Sequence, residues 1–132
     1  MKIHKYDRDR DEDKLMQMIA AEGEEWLCYT APENAARYRT ALAQSVTYVA
    51  YEGEVLCGYS RSLDDCGFYI YVCDLLVMPA HRGKHIGRRL TQCLYDEFPD
   101  HIVYVMSDVD EYYQKQGYMR EGTVFEVTNP NQ

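Results

Sequence analysis

The sequence predicts one α/β domain over residues 1–132, a mixed sheet with flanking helices. Three observations lead there. Hydrophobic spacing alternates along the chain between helical and strand-like periods in the order β-α-α-β-β-β-α-β-α-β, the pattern of a single mixed α/β layer structure. A length of 132 residues suits one domain, and a domain near this size buries about two-thirds of its unfolded surface, enough for a core without metal or disulfide staples. With 46% hydrophobic residues and thirteen tyrosines, the composition excludes a disordered chain.

Each element has its own signal. KIHKY reads as a short first strand. In RDRDEDKLMQMIAAEGEE, Leu15, Met18 and Ile19 fall on one helical face, with acidic residues in the first turn where they suit the helix dipole. A second helix, PENAARYRTALAQ, starts at Pro32 with Glu33 close behind. VTYVAY and EVLCGYSRS flank Glu52-Gly53, a two-residue turn whose glycine accepts positive φ, so they form a hairpin. GFYIYVCDLLV is apolar almost without alternation, as expected of a strand covered on both faces. After the glycines that follow, Ile86, Leu90, Cys93, Leu94 and Phe98 repeat at helical spacing until Pro99 ends the element. HIVYVM is a further strand, SDVDEYYQKQG a short helix closed by Gly117, and YMREGTVFEV supplies the final strand. No internal repeat or linker interrupts the order.

Several function classes drop out early. The N-terminus lacks an apolar signal core and no apolar run nears the ~20 residues of a membrane span, so a cytoplasmic location is expected and no membrane partner. Cys28, Cys57, Cys66, Cys73 and Cys93 include no C-x-x-C pair and read as reduced thiols. His4, His81, His85 and His101 show no ligand spacing, so no metal is expected. A net charge of -8 repels nucleic acid and favours an amine or basic peptide.

Against that acidity, VMPAHRGKHIGRRL (77–90) gathers Arg82, Lys84, Arg88 and Arg89 around two glycines where a strand becomes a helix. A helix N-terminus offers backbone N–H groups without intrahelical partners, aligned with the helix dipole, and glycines let the backbone approach closely; this geometry binds phosphate oxygens. Neither the G-x-x-x-x-G-K-S/T nor the G-x-G-x-x-G spacing occurs, so another pyrophosphate carrier is needed. Here the sequence resembles the GNAT family of N-acetyltransferases, whose phosphate-binding motif reads Gln/Arg-x-x-Gly-x-Gly/Ala directly after its central strand. The stretch Arg82-Gly83-Lys84-His85-Ile86-Gly87 follows it, with His85 where the motif has its first glycine; histidine is among the non-glycine residues that more readily accept positive φ. YYQKQGY, Tyr112 to Tyr118, resembles the family's second landmark, F-Y-x-x-x-G-F, one strand later.

The resemblance covers nearly the whole chain and implies the GNAT acyl-CoA N-acyltransferase fold, with a mostly antiparallel sheet. It implies acetyl-CoA as co-substrate, in a cleft between the strand ending DLLV and the strand IVYVM. Main-chain groups of Leu75, Leu76 and Val77 would hold the pantetheine and the thioester carbonyl, and Gly83, Lys84, His85, Ile86, Gly87 and Arg88, with Arg82, the pyrophosphate. Tyr113 aligns with the tyrosine that protonates the departing thiolate; a phenol with pKa about 10 is a competent acid toward it. Where some members carry a glutamate that helps deprotonate the amine, this chain has Cys73, read as a small packing residue, and Asp74 is read as a structural hydrogen-bond acceptor; the base stays unassigned.

In the family the first two helices and the loops above the sheet select the acceptor, which points to Glu22, Glu24, Glu25 and Trp26 and to Asp64 and Asp65; of these Glu25, Trp26 and Asp65 are the candidate substrate residues. The expected activity is direct acetyl transfer to a primary amine of a small molecule or peptide. The alternative is a non-catalytic acyl-CoA-binding sensor or interaction module of the same fold. The sequence leaves the acceptor and the oligomeric state open, a dimer included.

Overall fold

The computed structural model describes residues 1–132. Five stretches rich in Val, Ile and Tyr form one sheet whose spatial order follows the chain: β1 (Lys2–Lys5), β2 (Val46–Glu52), β3 (Val55–Asp64), β4 (Tyr69–Val77) and β5 (Ile102–Val105). The first four are antiparallel neighbours, and β2 turns into β3 at Gly53, whose φ of +61° needs no Cβ. β5 runs parallel to β4. A parallel neighbour requires a crossover, supplied by α4 (Ile86–Glu97).

α1 (Arg8–Ala20), α2 (Leu27–Thr30) and α3 (Pro32–Gln44) cover one face of the sheet, with α5 (Asp110–Lys115) following β5. The core under α1 and α3 joins Leu15, Ile19 and Leu42 to Val49, Tyr59 and Leu76. Such fully buried side chains contribute about 1.5–3 kcal/mol each. On the opposite face Ile86 and Leu90 of α4 pack on Ala50 and Cys57, and Leu94 on Ile70 and Val72. Gly58 permits this closeness: a Cβ there would lie 3.0 Å from the Leu76 carbonyl oxygen and 3.4 Å from Ile86 Cγ2.

Two β-bulges, neither visible in the hydrophobic pattern, shift the sheet. Ala50 pairs with Gly58 but Tyr51 with Leu56, leaving Cys57 as the extra residue of β3; Arg61 pairs with Asp74 but Ser62 with Val72, leaving Cys73 as the extra residue of β4. Each inserts one residue into the pleat and reverses which face the following side chains serve. Ile70 and Val72 therefore face α4, whereas Asp74 and Leu76 face α1 and α3.

Three expectations change. β4 is not covered along its whole length: at its start Tyr71 is exposed and Tyr69 and Tyr104 half-buried, in a row with ring centroids 5.3–5.8 Å apart. The helical run before α3 is broken at Gly23, φ +106°, and continues as a 3-10 turn (Glu24–Trp26) and the short α2. Residues 118–127, expected as the final strand, form no strand. Their period-two apolarity joins no ladder, although β5 is an edge strand, and pattern alone does not create a pairing.

Candidate active site

Past Val72 the sheet opens. β5 accompanies β4 only from Tyr69↔Ile102 to Val72↔Val105, and the last bond is the Met106 N–H to the Val72 carbonyl, 3.0 Å. From Arg61↔Asp74 to Gly58↔Val77 the β4 backbone pairs with β3 alone. The main chain of Leu75, Leu76 and Val77 thus has one unpaired side.

Directly beyond lies the glycine loop. A 3-10 turn, Pro79–His81, leads to Arg82; Gly83 takes φ +83° and His85 φ +63°, a left-handed residue immediately before α4. His85 thus adopts the conformation that the motif glycine would reach without strain. From Gly83 to Arg88, six consecutive backbone N–H groups donate to no acceptor in the protein; the first bond of α4 is the Arg89 N–H to the His85 carbonyl, 3.0 Å. Orphan donors at the positive end of a 12-residue helix constitute an anion site. The side chains divide into two roles. Arg82 is committed, donating Nε to the Val77 carbonyl at 3.0 Å and Nη2 to Glu22 Oε1 at 2.7 Å, which ties the loop to β4 and to the end of α1. Lys84, Arg88 and Arg89 are exposed and form no ion pair.

α5 sits against the start of α4. The Tyr112 hydroxyl comes so close to Gly87 that a Cβ there would collide with it, and that Cβ would lie 3.8 Å from Leu75 Cδ2. Tyr113 is buried at 9% exposure, edge-on to Tyr112 (5.0 Å) and stacked on Tyr118 (6.1 Å), whose hydroxyl is 2.8 Å from Thr91 Oγ1 on α4. Burial first, then the neighbouring Tyr112, Tyr118 and Asp108, push the Tyr113 phenol up to about 12. It keeps its proton throughout the neutral range. The loop, Leu75 and the Tyr112–Tyr113 pair, chosen separately in the sequence, are thereby gathered at one end of α4.

On the other face is a polar cluster around Asp74, which is the structural hydrogen-bond acceptor expected from the sequence, although sequence reasoning missed its partners. Asp74, 4% exposed, accepts from Tyr29 Oη (2.7 Å), Tyr38 Oη (2.7 Å) and Arg61 Nε (2.5 Å), and the Tyr38 and Tyr59 hydroxyls are 2.6 Å apart. Its signal was present: opposite charges at Arg61 and Asp74, each inside an apolar strand, are worth burying only as a pair. Burial and this carboxylate push the Tyr29 and Tyr38 phenols far up, and burial also raises the Cys73 thiol, which is partly enclosed. Tyr29 and Tyr38 form part of the wall of a 230 Å³ depression between α2 and α3.

The candidate acceptor residues are not all at one place. Trp26 packs on the α1–α3 core near Tyr29 (5.9 Å) and Tyr59 (6.4 Å), and Glu25 beside it is exposed. Asp65 lies in the β3–β4 turn, at the opposite end of β4 from Val77, and its Oδ1 accepts the backbone N–H groups of Gly67, Phe68 and Tyr69 at 2.8–2.9 Å. Those bonds hold its carboxyl below the usual range. Asp64, Asp65 and His101 bring ligand-type atoms within 4.8 Å of one another in this turn, remote from the glycine loop.

Comparison with known proteins agrees with this geometry. The model of the acetyltransferase (GNAT) domain matches residues 43–120. No curated protein matches the sequence. Among solved structures, the chain resembles an aminoglycoside acetyltransferase from an uncultured soil metagenomic sample (TM-score 0.74, 21% identity, 97% of each chain covered). It also resembles glucosamine-6-phosphate N-acetyltransferase from Arabidopsis thaliana (TM-score 0.68, 17% identity, 96% of this chain and 97% of that one). A third likeness is ribosomal-protein-alanine N-acetyltransferase from Brucella melitensis biovar Abortus 2308 (TM-score 0.71, 15% identity, 97% and 98%). At these identities the structures establish the fold, and the domain match, spanning β2 to the end of α5 with both motifs inside it, establishes the rest: the chain belongs to the GNAT acetyltransferase family.

Proposed function

We propose that the protein is an N-acetyltransferase that moves an acetyl group from acetyl-CoA directly to a primary amine of a small molecule or peptide. The run of six unpaired amides, Gly83 to Arg88, beside the unpaired end of β4 carries this reading. The residues fit the co-substrate: the amides and the free charges of Lys84 and Arg88 suit a pyrophosphate, and the open main chain of Leu75, Leu76 and Val77 suits pantetheine amides. Acetyl-CoA supplies an activated thioester. Backbone donors at the end of β4 orient it and polarise its carbonyl, and fixed orientation alone lowers a barrier by several kcal/mol.

Tyr113, protonated up to about pH 12, is the group assigned to return a proton to the departing sulfur. Asp74 is a poor base because three donors already occupy it, and the Cys73 thiol is held protonated by burial. The amine therefore reacts in its neutral form, losing its proton to water. The structural relatives include enzymes named for an aminoglycoside, an amino sugar phosphate and a protein alanine, which supports an amine acceptor as a class. The net charge of -8 favours a cationic one; the exposed Glu25 beside Trp26 is available to it, whereas Asp65 is committed to the backbone of its own turn.

The test is thiol release from acetyl-CoA across a panel of polyamines, aminoglycosides, amino acids and peptides, with calorimetry of CoA binding alongside. Amine-dependent thiol release is expected. CoA binding without release from any amine would make the protein a non-catalytic acyl-CoA-binding module, and absence of CoA binding would overturn the site itself.

A further inference from the structure

Beside the gap between β4 and β5 lies an aromatic surface that acetyl transfer leaves unused. Ile70 and Val72 of β4 pack under α4, so alternation turns Tyr69 and Tyr71 to the other face; Val103 and Val105 of β5 do the same and turn Ile102 and Tyr104 with them. Leu63, opposite Tyr71 in β3, shares that face with Arg61. Leu63, Tyr71 and Ile102 are 48%, 37% and 50% exposed, and neither they nor Tyr69 and Tyr104 belong to any of the three cores. The Tyr104 ring stacks on Tyr69 at 5.3 Å and lies 5.6 Å from Tyr71.

We propose that Tyr69, Tyr71 and Tyr104 hold the far ammonium group of a polyamine whose near amine receives the acetyl group. This rests on the transfer proposed above and assigns its acceptor. The unpaired amides of Gly83 to Arg88 lie at the start of α4, on one face of the sheet, so an amine reaches the thioester through the gap from the tyrosine face. Tyr71↔Tyr104 is the pair next to the last, Val72↔Val105, before the two strands part. Four residues carry the chain from Tyr71 to Leu75, about 13 Å at about 3.3 Å per residue before the bulge at Cys73 shortens it. Spermidine reaches across such a length and putrescine does not.

The chemistry of the row suits an ammonium. Tyrosine ring faces are the negative side of a quadrupole and attract cations. The chain's own cation–π contacts lie elsewhere, with Lys5, Lys14 and Arg61 over Tyr48, Tyr51 and Tyr38. Arg61, on the tyrosine face, is committed to Asp74 at 2.5 Å and Ser45 Oγ at 3.3 Å. Glu121 lies within electrostatic reach of Tyr104, and a net charge of -8 draws a polycation to the surface.

The test compares spermidine with putrescine by calorimetry on the full chain with CoA present, and by thiol release from acetyl-CoA. Spermidine is expected to bind about tenfold more tightly than putrescine. Tyr71→Leu combined with Tyr104→Leu is expected to raise the Kd and KM for spermidine about tenfold while kcat and CoA affinity hold; Tyr71→Leu alone, at an exposed position, is expected to cost about threefold. Tyr71→Phe combined with Tyr104→Phe keeps both ring faces and is expected to match the wild type. All these proteins carry the same charge, so attraction by net charge is common to them. Thiol release from other amines with no preference for spermidine, or an unchanged spermidine Kd in the leucine variants, overturns the acceptor assignment and leaves acetyl transfer standing. The leucine effect on spermidine Kd with no thiol released from any amine overturns the transfer and upholds the tyrosines as the ammonium site.

Discussion

Tyr113 combines two functions in one ring, packing and proton delivery, and its hydroxyl separates them. In Tyr113→Phe the ring still stacks on Tyr118 and meets Tyr112, so CoA affinity is expected to stay within about twofold, a few tenths of a kcal/mol. Single-turnover acetylation is expected to fall ~10²- to 10⁴-fold, the usual range for a general acid. Because the phenol's pKa is raised, the wild-type rate shows no loss from Tyr113 ionisation between pH 6 and about 10; an unchanged single-turnover rate in the variant would reduce Tyr113 to packing. Gly87 makes a different demand. Gly87→Glu sets a carboxylate beside six free amides and displaces the Tyr112 hydroxyl, so CoA binding is expected to weaken roughly tenfold or more, about 1.4 kcal/mol, by calorimetry of a folded variant. The motif residues were legible because backbone geometry at Gly83, His85 and Gly87 constrains residue type. Asp74 was legible only in part, since its partners Tyr29, Tyr38 and Arg61 come from three other elements that no local pattern links.

Among the elements, α4 packs closely on β3 at Gly58. Gly58→Ala adds a methyl against the Leu76 carbonyl, a backbone atom unable to swing aside, and against Ile86 in the first turn of α4. Overpacking of this kind costs about 1–3 kcal/mol, to be read from the urea midpoint, and moves the phosphate loop outward. Asp74 joins β4 to β3, α2 and α3, and Asp74→Ala leaves Arg61 buried without its partner. A loss of about 3–5 kcal/mol is expected by the same measurement, the cost of an uncompensated buried charge. Sequence periodicity located α1, α3 and α4 well because each buries a continuous stripe, and β2, β3 and β4 because each is a run rich in β-branched and aromatic residues bounded by turns. It failed at Gly23, where positive φ splits a helix, and at residues 118–127, where an apolar strand pattern joins no ladder.

Across the whole molecule the tyrosines set the alkaline limit of stability. Eight of the thirteen have raised phenol pKa values, with burial the first cause in each, including Tyr6, Tyr51 and Tyr113 at about 12. In the unfolded chain these groups ionise near 10, so the unfolded state sheds protons first as pH rises. The stabilisation is complete below pH 10 and is lost toward 12. Thermal unfolding followed from pH 8 to 11.5 is expected to give a plateau and then a steep fall in Tm, with phenolate absorbance rising in step with unfolding. A gradual decline starting near pH 8 would contradict this assignment.

The bulge at Cys73 bears on how the chain tolerates change. One supernumerary residue resets the phase of β4, so that Ile70 and Val72 serve one core while Asp74 and Leu76 serve the other. The side chain at 73 is nearly free to vary, because its contribution is to the count of residues and not to their chemistry. Deleting it would set Asp74 directly after Val72 and opposite Arg61 in an unbroken ladder, with Asp74 and Leu76 still toward α3 and Leu75 still toward α4. Such a site evolves readily by substitution and even admits the loss of its residue, whereas loss of a paired neighbour such as Leu75 would carry Leu76 from one core to the other.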